Sequence, residues 1–230
     1  MRYSDRGIYM GQLMRTAYTE IEKYMQVCMI DSAHDMEHIY RVLNYALYIA
    51  KDEPNVDIDI LTAACLLHDI GRAEQFAVPT VNHADCGAAK AYCWLVERGY
   101  PEVFAAVVKS CIQTHRYRSG KPPESNEAKI LFDADKIDVC GTIGIARTLL
   151  YKAGLIEPLY TFTDHGDVSD GTGDKTASFF QEYKFKLEKI YDKFYTKRGA
   201  EIAAKRKAAA RNFYESMYAE VCECYAFGKP

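Results

Sequence analysis

Two adjacent residues with metal-ligand side chains end an apolar segment of the chain. His68 and Asp69 directly follow the apolar run 63–67. A helix that is apolar up to such a pair must direct both polar side chains at something other than bulk core. Neighbouring helix positions lie about 100° apart, so both can reach one ion only at a cleft shared with other helices. The doublet alone leaves open a simpler interpretation, a histidine at its own helix C-terminus beside a solvated aspartate.

Further candidate ligands lie on either side of this doublet. His38 lies upstream, and Asp135 lies downstream in the run FDADKID. With His68 and Asp69 they would supply two imidazoles and two carboxylates. This mixed set suits six-coordinate Mn²⁺, Fe²⁺, Co²⁺ or Ni²⁺, with Mg²⁺ or Zn²⁺ as further options, and it leaves room for water and a substrate oxygen. An ion held in this way polarises a phosphoryl oxygen and lowers the pKa of bound water, so we expect His68 and Asp69 at a catalytic centre.

The ordered set of these four residues resembles the HD superfamily of metal-dependent phosphohydrolases. The local contexts are HDMEHIYRV for the first histidine, CLLHDIG for the doublet and ILFDADKID for the distal aspartate. The resemblance covers about residues 30–150. It implies a helical bundle and a metal held at the family's ligand positions. Those positions correspond here to His38, His68, Asp69 and Asp135.

Three neighbouring residues are weaker candidates by the same resemblance. His34 is the less favoured histidine of the HDMEH segment, because the family's ligand is followed three to four residues later by the R-V pair of its helix. Asp133 and Asp138 are interpreted as helix-capping carboxylates or as carboxylates that support the ligands.

Two more histidines, His83 and His115, lie between the doublet and the distal aspartate. The HD proteins that hold two metals use the order His, His-Asp, His, His, Asp, which this chain reproduces. Alternatively, the two imidazoles hydrogen-bond phosphate or orient another ligand. Spacing alone does not choose between these roles, and we prefer phosphate binding or ligand orientation to a second metal.

Two arginines are candidates for binding a phosphorylated substrate. Arg116 directly follows His115, and Arg147 lies within the apolar stretch GTIGIARTLL, where an unpaired guanidinium would be costly to bury. Guanidinium groups match the geometry of phosphate oxygens. The predicted substrate-binding residues are His83, His115, Arg116 and Arg147.

Helical periodicity runs through almost the whole chain, and no alternating run is typical of a strand. Helices are predicted over residues 38–50, from 57 or 59 to about 71, over 84–98, from 101, and over 127–150, 176–195 and 199–226. The fold class is therefore all-α, and the resemblance implies a multi-helix HD-domain bundle with a C-terminal helical extension. We expect a single all-helical domain over 1–230, with the HD-domain core over 30–150 and the extension over 155–228.

Composition excludes several classes of protein. The chain has 230 residues, of which 49% are hydrophobic and 27% charged, so wholesale disorder is excluded. Its net charge of −3 does not favour nucleic acid or an anionic membrane as a stable partner. There is no apolar run of transmembrane length and no secretory signal pattern at the N-terminus. The eight cysteines are mostly far apart and favour reduced thiols, so we expect a cytoplasmic protein.

The C-terminal region is rich in aromatic residues, which favour core or dimer contacts over base stacking. A homodimer is therefore compatible with the sequence. These residues are Tyr191, Phe194, Tyr195, Phe213, Tyr214 and Tyr218.

The leading hypothesis is a metal-dependent phosphohydrolase that acts on a nucleotide or another small phosphorylated metabolite. One alternative is a di-iron HD-fold oxygenase, which uses O₂ to cleave C–C or C–P bonds. Another is a non-catalytic regulatory module braced by its metal. The ligand residues do not identify the substrate, because pocket shape separates one phosphorylated compound from another.

Overall fold

The computed structural model describes residues 12–29, 36–116 and 121–227. Within these ranges the chain forms ten α-helices. They are α1 (Gln12–Cys28), α2 (Met36–Ile49), α3 (Ile58–Leu67), α4 (Arg72–Ala77), α5 (His83–Glu97), α6 (Glu102–Thr114), α7 (Asn126–Ile137), α8 (Gly141–Gly154), α9 (Phe179–Phe185) and α10 (Lys197–Ala226). The only extended pairing in the described ranges is a single antiparallel bridge between Phe162 and Val168. The predicted all-α class is confirmed.

The chain divides into two compact units, with the boundary between Leu131 and Phe132, inside α7. The first unit contains α1 to α6 and the start of α7. The second contains the end of α7 and all later helices. The division proposed from the sequence, a core over 30–150 and an extension over 155–228 within one domain, remains a prediction.

Helix α3 is the central element of the first unit. Its residues 61–67 are all buried, and it packs against α1, α2, α5 and α6. A helix that is apolar on every side must be surrounded by others. Asp57 caps its N-terminus by accepting from the backbone N–H groups of Asp59 and Ile60, at 2.9 and 3.1 Å. This packing carries the residues after Leu67 into the interior of the unit.

The helix predicted to continue to about residue 71 ends at Leu67, and the short helix α4 after it was not predicted. A close approach of two backbone segments explains the change of direction. A Cβ atom on Gly71 would lie 2.3 Å from the carbonyl oxygen of His83 and 2.6 Å from the backbone nitrogen of Gly87. Lys90 of α5 supports the turn by donating to the carbonyl of Ile70 at 3.0 Å. The start of α5 therefore lies against the turn that follows the His-Asp doublet.

The single helix predicted over 127–150 is wrong, because the chain breaks after Ile137 and restarts as α8 at Gly141. Gly141 has a φ of +73°, a conformation that side chains disfavour. A Cβ atom on Gly144 would lie 2.0 Å from the carbonyl oxygen of Val139, so the first turn of α8 packs directly on the preceding backbone.

The helix predicted over 176–195 is also wrong. The structure has the short helix α9, followed by a 3₁₀ segment at Leu187–Asp192. The break comes at Lys186, whose φ of −124° departs from helical geometry. In the 3₁₀ segment, residues three apart lie on one face. This winding places Leu187 and Ile190 together in the buried core of the second unit.

Aromatic rings fill the core of the second unit. Tyr183 of α9 stacks on Tyr214 of α10, with ring centroids 4.0 Å apart and planes 3° from parallel. Of the aromatic residues predicted for core or dimer contacts, Tyr191 and Tyr214 are buried, whereas Tyr195 and Phe213 are exposed. A homodimer remains a prediction.

Asp133, in the part of α7 that belongs to the second unit, organises the start of α10. Its carboxylate accepts from the backbone N–H groups of Tyr195 and Thr196, at 2.9 and 2.7 Å, and from the Thr196 hydroxyl at 2.7 Å. The Thr196 hydroxyl oxygen in turn accepts from the backbone N–H of Gly199 and caps α10. Asp133 was interpreted as a helix-capping or ligand-supporting carboxylate. In the structure Thr196 caps α10, and Asp133 holds this cap residue in place.

None of the helices within the described ranges combines the length and the apolar character that a bilayer-spanning segment requires.

Candidate metal centre

The Asp69 carboxylate lies among four imidazoles in the first unit. The Nε2 atoms of His38 and His68 lie 3.6 and 3.7 Å from its Oδ2 atom. The Nε2 atoms of His83 and His115 lie 3.4 and 3.7 Å from its Oδ1 atom. All five side chains are buried. The structure thus brings together the predicted doublet and three predicted histidines, and each carboxylate oxygen faces its own pair of rings.

Two groups of side chains in this cluster could each hold a metal ion. We name them the first ligand group, His38, His68 and Asp69, and the second ligand group, Asp69, His83 and His115. Within each group the candidate ligand atoms lie within 4.8 Å of one another. Asp69 belongs to both groups, and a carboxylate with one oxygen on each side can serve two cations.

Helix ends orient two of the rings. His68 follows the last residue of α3, and His115 follows the last residue of α6. Carbonyl groups in the last turn of a helix lack intrahelical partners. Nδ1 of His68 lies 2.8 Å from the carbonyl oxygen of Cys65, and Nδ1 of His115 lies 2.6 Å from the carbonyl oxygen of Ile112. A carbonyl only accepts, so each Nδ1 carries the proton and each Nε2 presents a lone pair to the cluster.

Two atoms of the cluster lack a hydrogen-bond partner among the residues that the structure describes. They are Oδ2 of Asp69 and Nε2 of His115, and both are buried. The distances of 3.4 to 3.7 Å to Asp69 are too long for hydrogen bonds. Buried lone pairs without a donor are costly, and a cation would satisfy both. The residues present therefore fit a divalent metal bound by nitrogen and oxygen.

Arg72 supplies the compensating charge that the structure shows for Asp69. Its Nε atom donates to Oδ1 at 3.0 Å. Burial by itself would raise the pKa of Asp69, but the Arg72 cation holds that pKa well below its ordinary value. Burial also lowers the pKa of His83 to about 2, and the Arg72 cation adds to the effect. The cluster therefore combines an ionised carboxylate with a neutral His83 ring, the protonation states that metal ligands require.

Comparison with known proteins assigns this part of the chain to a family. Residues 35–140 match the sequence model of the HD domain. Residues 35–140 form an HD domain. The resemblance predicted from the sequence is confirmed, and the matched segment contains all the candidate ligands.

The similarity to known relatives extends over most of the chain. The uncharacterized protein YpgQ of Bacillus subtilis (strain 168) is 26% identical over 208 residues, which are 88% of this chain and 92% of YpgQ. The crystal structure of B. subtilis YpgQ in complex with ADP has a TM-score of 0.69 at 24% identity, covering 89% of this chain and 97% of that one. The crystal structure of a predicted HD superfamily hydrolase from an uncultured Thermotogales bacterium has a TM-score of 0.58 at 27% identity, covering 88% and 91%.

Two polar residues of the HD domain were missed by the sequence analysis. Arg72 contacts Asp69, and Gln75 lies with its Oε1 atom 2.8 Å from Nδ1 of His83. Both belong to α4, which periodicity did not reveal because the helix is only six residues long. A signal was available for Arg72, which follows Asp69 by three residues and so lies one helical turn away.

Arg116, a predicted substrate-binding residue, contacts the cluster. Its Nη1 atom lies 3.0 Å from Nδ1 of His83. It also lines a cavity of about 200 Å³ together with residues from α4 and the following loop. The other lining residues are Gln75, Pro79, Thr80, Val81 and Asn82.

The remaining predicted residues are outside the two ligand groups. Asp135 is half-buried near the end of α7, in the second unit, and is in neither ligand group. Arg147 also lies in the second unit, where its guanidinium pairs with Asp138 at 2.8 Å. This ion pair accounts for the arginine in its apolar segment, and substrate binding by Arg147 remains a prediction. His34 lies outside the described residues.

Proposed function

We propose that this protein is a metal-dependent phosphohydrolase that cleaves a phosphate ester of a nucleotide. The observation that carries the proposal is the placement of Asp69, whose two oxygens each face a pair of buried imidazole Nε2 atoms. The similarity to a predicted HD superfamily hydrolase supports hydrolysis. The complex of YpgQ with ADP supports a nucleotide as the substrate.

In this proposal the first ligand group holds a divalent transition metal such as Mn²⁺, Fe²⁺, Co²⁺ or Ni²⁺, with Asp135 as its fourth protein ligand. The second ligand group can hold a second ion. A divalent cation in such a site polarises a phosphoryl oxygen and lowers the pKa of water. His68 and His115 contribute by keeping their protons on Nδ1, where backbone carbonyls accept them, so that both Nε2 atoms remain available as ligands.

The cavity beside His83 is the proposed position of a substrate phosphate. Its volume of about 200 Å³ is below the range typical of sites that hold a whole drug-sized ligand, and Thr80, Asn82 and Arg116 give it polar walls. A guanidinium at such a position can donate to phosphate oxygens and offset their charge. We therefore assign phosphate binding to Arg116, and a base or sugar would extend beyond this cavity.

The test begins with protein purified without chelators or added metal. Its metal content is measured by mass spectrometry, and phosphate release is then screened over a nucleotide panel with Mn²⁺, Co²⁺ or Ni²⁺. Asp69→Ala is expected to abolish both bound metal and turnover while helicity by circular dichroism is retained. Asp59→Ala, at an exposed position in the first turn of α3, is the matched control and should retain both. Retained turnover in Asp69→Ala would contradict the proposal.

A di-iron oxygenase is the second candidate, because two ligand groups that share Asp69 suit a pair of ions. Iron-loaded protein that consumes O₂ without releasing phosphate from any nucleotide would favour this alternative. Bound metal without turnover in either assay would favour a non-catalytic module.

A further inference from the structure

His83 differs from the other oriented rings of the cluster in the group that its Nδ1 atom faces. His68 and His115 lie at helix C-termini and use backbone carbonyls. His83 is the first residue of α5, where no preceding helical turn can offer a carbonyl. Its Nδ1 atom lies instead 2.8 Å from Oε1 of Gln75. The orientation of this ring therefore depends on a side chain that can be substituted.

Arg72 determines which atom of the Gln75 amide faces His83. The Nη1 atom of Arg72 lies 3.3 Å from the same Oε1 atom. A guanidinium can only donate, so the amide atom that it meets must be the oxygen. That oxygen can only accept from His83, which places the imidazole proton on Nδ1. The Nε2 atom then keeps its lone pair, 3.4 Å from Oδ1 of Asp69.

Arg116 does not compete for the Nδ1 atom of His83. Its Nη1 atom lies 3.0 Å from Nδ1 and 3.4 Å from Nε2 of the same ring. A point in the ring plane at those two distances would collide with the Cε1 atom between the nitrogens. The Arg116 nitrogen therefore lies over the face of the imidazole, an arrangement that arginine commonly adopts. Gln75 therefore occupies the in-plane hydrogen-bonding direction of Nδ1.

We propose that Gln75 is a positioning residue that fixes the tautomer of His83 and thereby completes the second ligand group. The inference rests on the proposed metal centre and extends it to a residue outside the ligand set. Removal of a group that orients a metal-ligating histidine lowers metal affinity by about 10- to 100-fold. Loss of the Gln75 acceptor should have this effect on the ion held by Asp69, His83 and His115.

The experiment compares Gln75→Leu, Gln75→Glu and the wild type as full chains. Gln75→Leu removes the acceptor, whereas Gln75→Glu keeps an oxygen at the same place. Gln26→Leu is the matched control, because Gln26 lies in the same unit and donates to Tyr40 rather than to the cluster. Mn²⁺ affinity and stoichiometry are measured by equilibrium dialysis. The histidine tautomers of the metal-free protein are read from ¹⁵N-edited NMR of the imidazole rings.

The wild type and Gln75→Glu are expected to show His83 protonated at Nδ1 and to bind Mn²⁺ with similar affinity. In Gln75→Leu the Nδ1 tautomer of His83 should no longer predominate, and the Mn²⁺ affinity of the second ligand group should fall by about 10- to 100-fold. Gln26→Leu should match the wild type in both measurements. His83 protonated at Nε2 in the wild type, or unchanged tautomer and Mn²⁺ binding in Gln75→Leu, would overturn the inference.

The tautomer measurement separates this inference from the proposed function. If no nucleotide is hydrolysed but His83 keeps its Nδ1 proton only when residue 75 offers an oxygen, the hydrolase proposal fails and the role of Gln75 stands. If nucleotides are hydrolysed and the tautomer does not depend on residue 75, the hydrolase proposal stands and the role of Gln75 fails.

Discussion

Arg72 donates from Nε to the Oδ1 atom of Asp69 across 3.0 Å, the same oxygen that faces His83 and His115. The Asp69 side chain is 1% exposed and that of Arg72 17%. An ionised carboxylate at this depth needs a compensating charge. Arg72 meets that need from the first turn of α4, only three residues along the chain.

Replacing Arg72 should therefore destabilise the metal-free protein. Arg72→Ala leaves a buried carboxylate without its cation, and we expect the free energy of unfolding to fall by about 3 kcal/mol, measured by urea denaturation with chelator present. Saturating Mn²⁺ should reduce the difference, because the bound ion compensates Asp69. Arg211→Ala removes an exposed pair with Glu215 and should cost less than about 1 kcal/mol. Equal losses in both variants would contradict this role for Arg72.

The buried His83 ring predicts how the stability of the metal-free protein depends on pH. Burial, with the Arg72 cation, lowers the folded-state pKa of His83 to about 2, whereas the unfolded chain titrates near its ordinary value of 6.5. Below pH 6.5 the unfolded state therefore binds a proton that the folded state does not. The free energy of unfolding should fall on acidification by about 1.4 kcal/mol per pH unit from this group, down towards pH 2.

Urea denaturation at pH 7.5, 6.5 and 5.5 measures this dependence. The fall in the free energy of unfolding between pH 7.5 and 5.5 should be smaller in His83→Gln by about 1.4 kcal/mol, an average of about half a proton over this range. The carboxylate of Asp69 affects stability in a separate, lower range of pH. Because its folded pKa is depressed, its stabilisation is present above its ordinary value of 3.8 and is lost as pH falls further. An identical slope between pH 7.5 and 5.5 in the wild type and His83→Gln would show that His83 does not titrate as expected.

The contact between Gly71 and the start of α5 predicts a site-specific loss. A Cβ atom at residue 71 would meet backbone atoms of His83 and Gly87, at 2.3 and 2.6 Å. Backbone atoms cannot rotate away from the contact as the end of a flexible side chain can. Gly71→Ala should lower the free energy of unfolding by about 1–3 kcal/mol or more. It should also weaken Mn²⁺ binding, because His83 must move away from Asp69.

Gly154→Ala is the matched control, since a Cβ atom there meets nothing within 4 Å at the end of α8. Its effect should lie between neutral and a gain of about 1 kcal/mol. Wild-type metal affinity in Gly71→Ala would show that α5 can shift without disturbing the cluster.

Two aspartates of the segment FDADKID should have different functions, Asp133 in stability and Asp135 in metal binding. Asp133→Ala leaves the N–H groups of Tyr195 and Thr196 without their acceptor and should cost about 1–3 kcal/mol of stability for each, with bound metal retained. Asp135→Ala should lower metal content, which Asp133→Ala should not. Parallel metal analysis and urea denaturation of both variants measure these effects. Unchanged metal content in Asp135→Ala would remove Asp135 from the ligand set.

Local sequence determined the helical class and the candidate ligands. Periodic apolar residues predict helices because positions three and four apart share a face. This rule located α2, α5 and α6 and the start of α3 closely. It failed where the packing of distant segments decides the backbone path. At the break before Gly141, Arg206 of α10 packs against Gly141 and donates to the carbonyl of Ile137 at 2.9 Å. The 3₁₀ segment after α9 depends on the buried core that it joins.

Only the tertiary structure showed that Asp69 is shared by the two ligand groups. The order of His38, His68, Asp69, His83 and His115 along the chain suggested ligands, but it did not show that each oxygen of Asp69 faces two rings. Those residues are up to 77 positions apart in the sequence, and side-chain direction at that separation depends on helix packing. The roles of Arg72 and Gln75 likewise required the turn at Gly71, which brings α4 and the first residue of α5 beside the doublet.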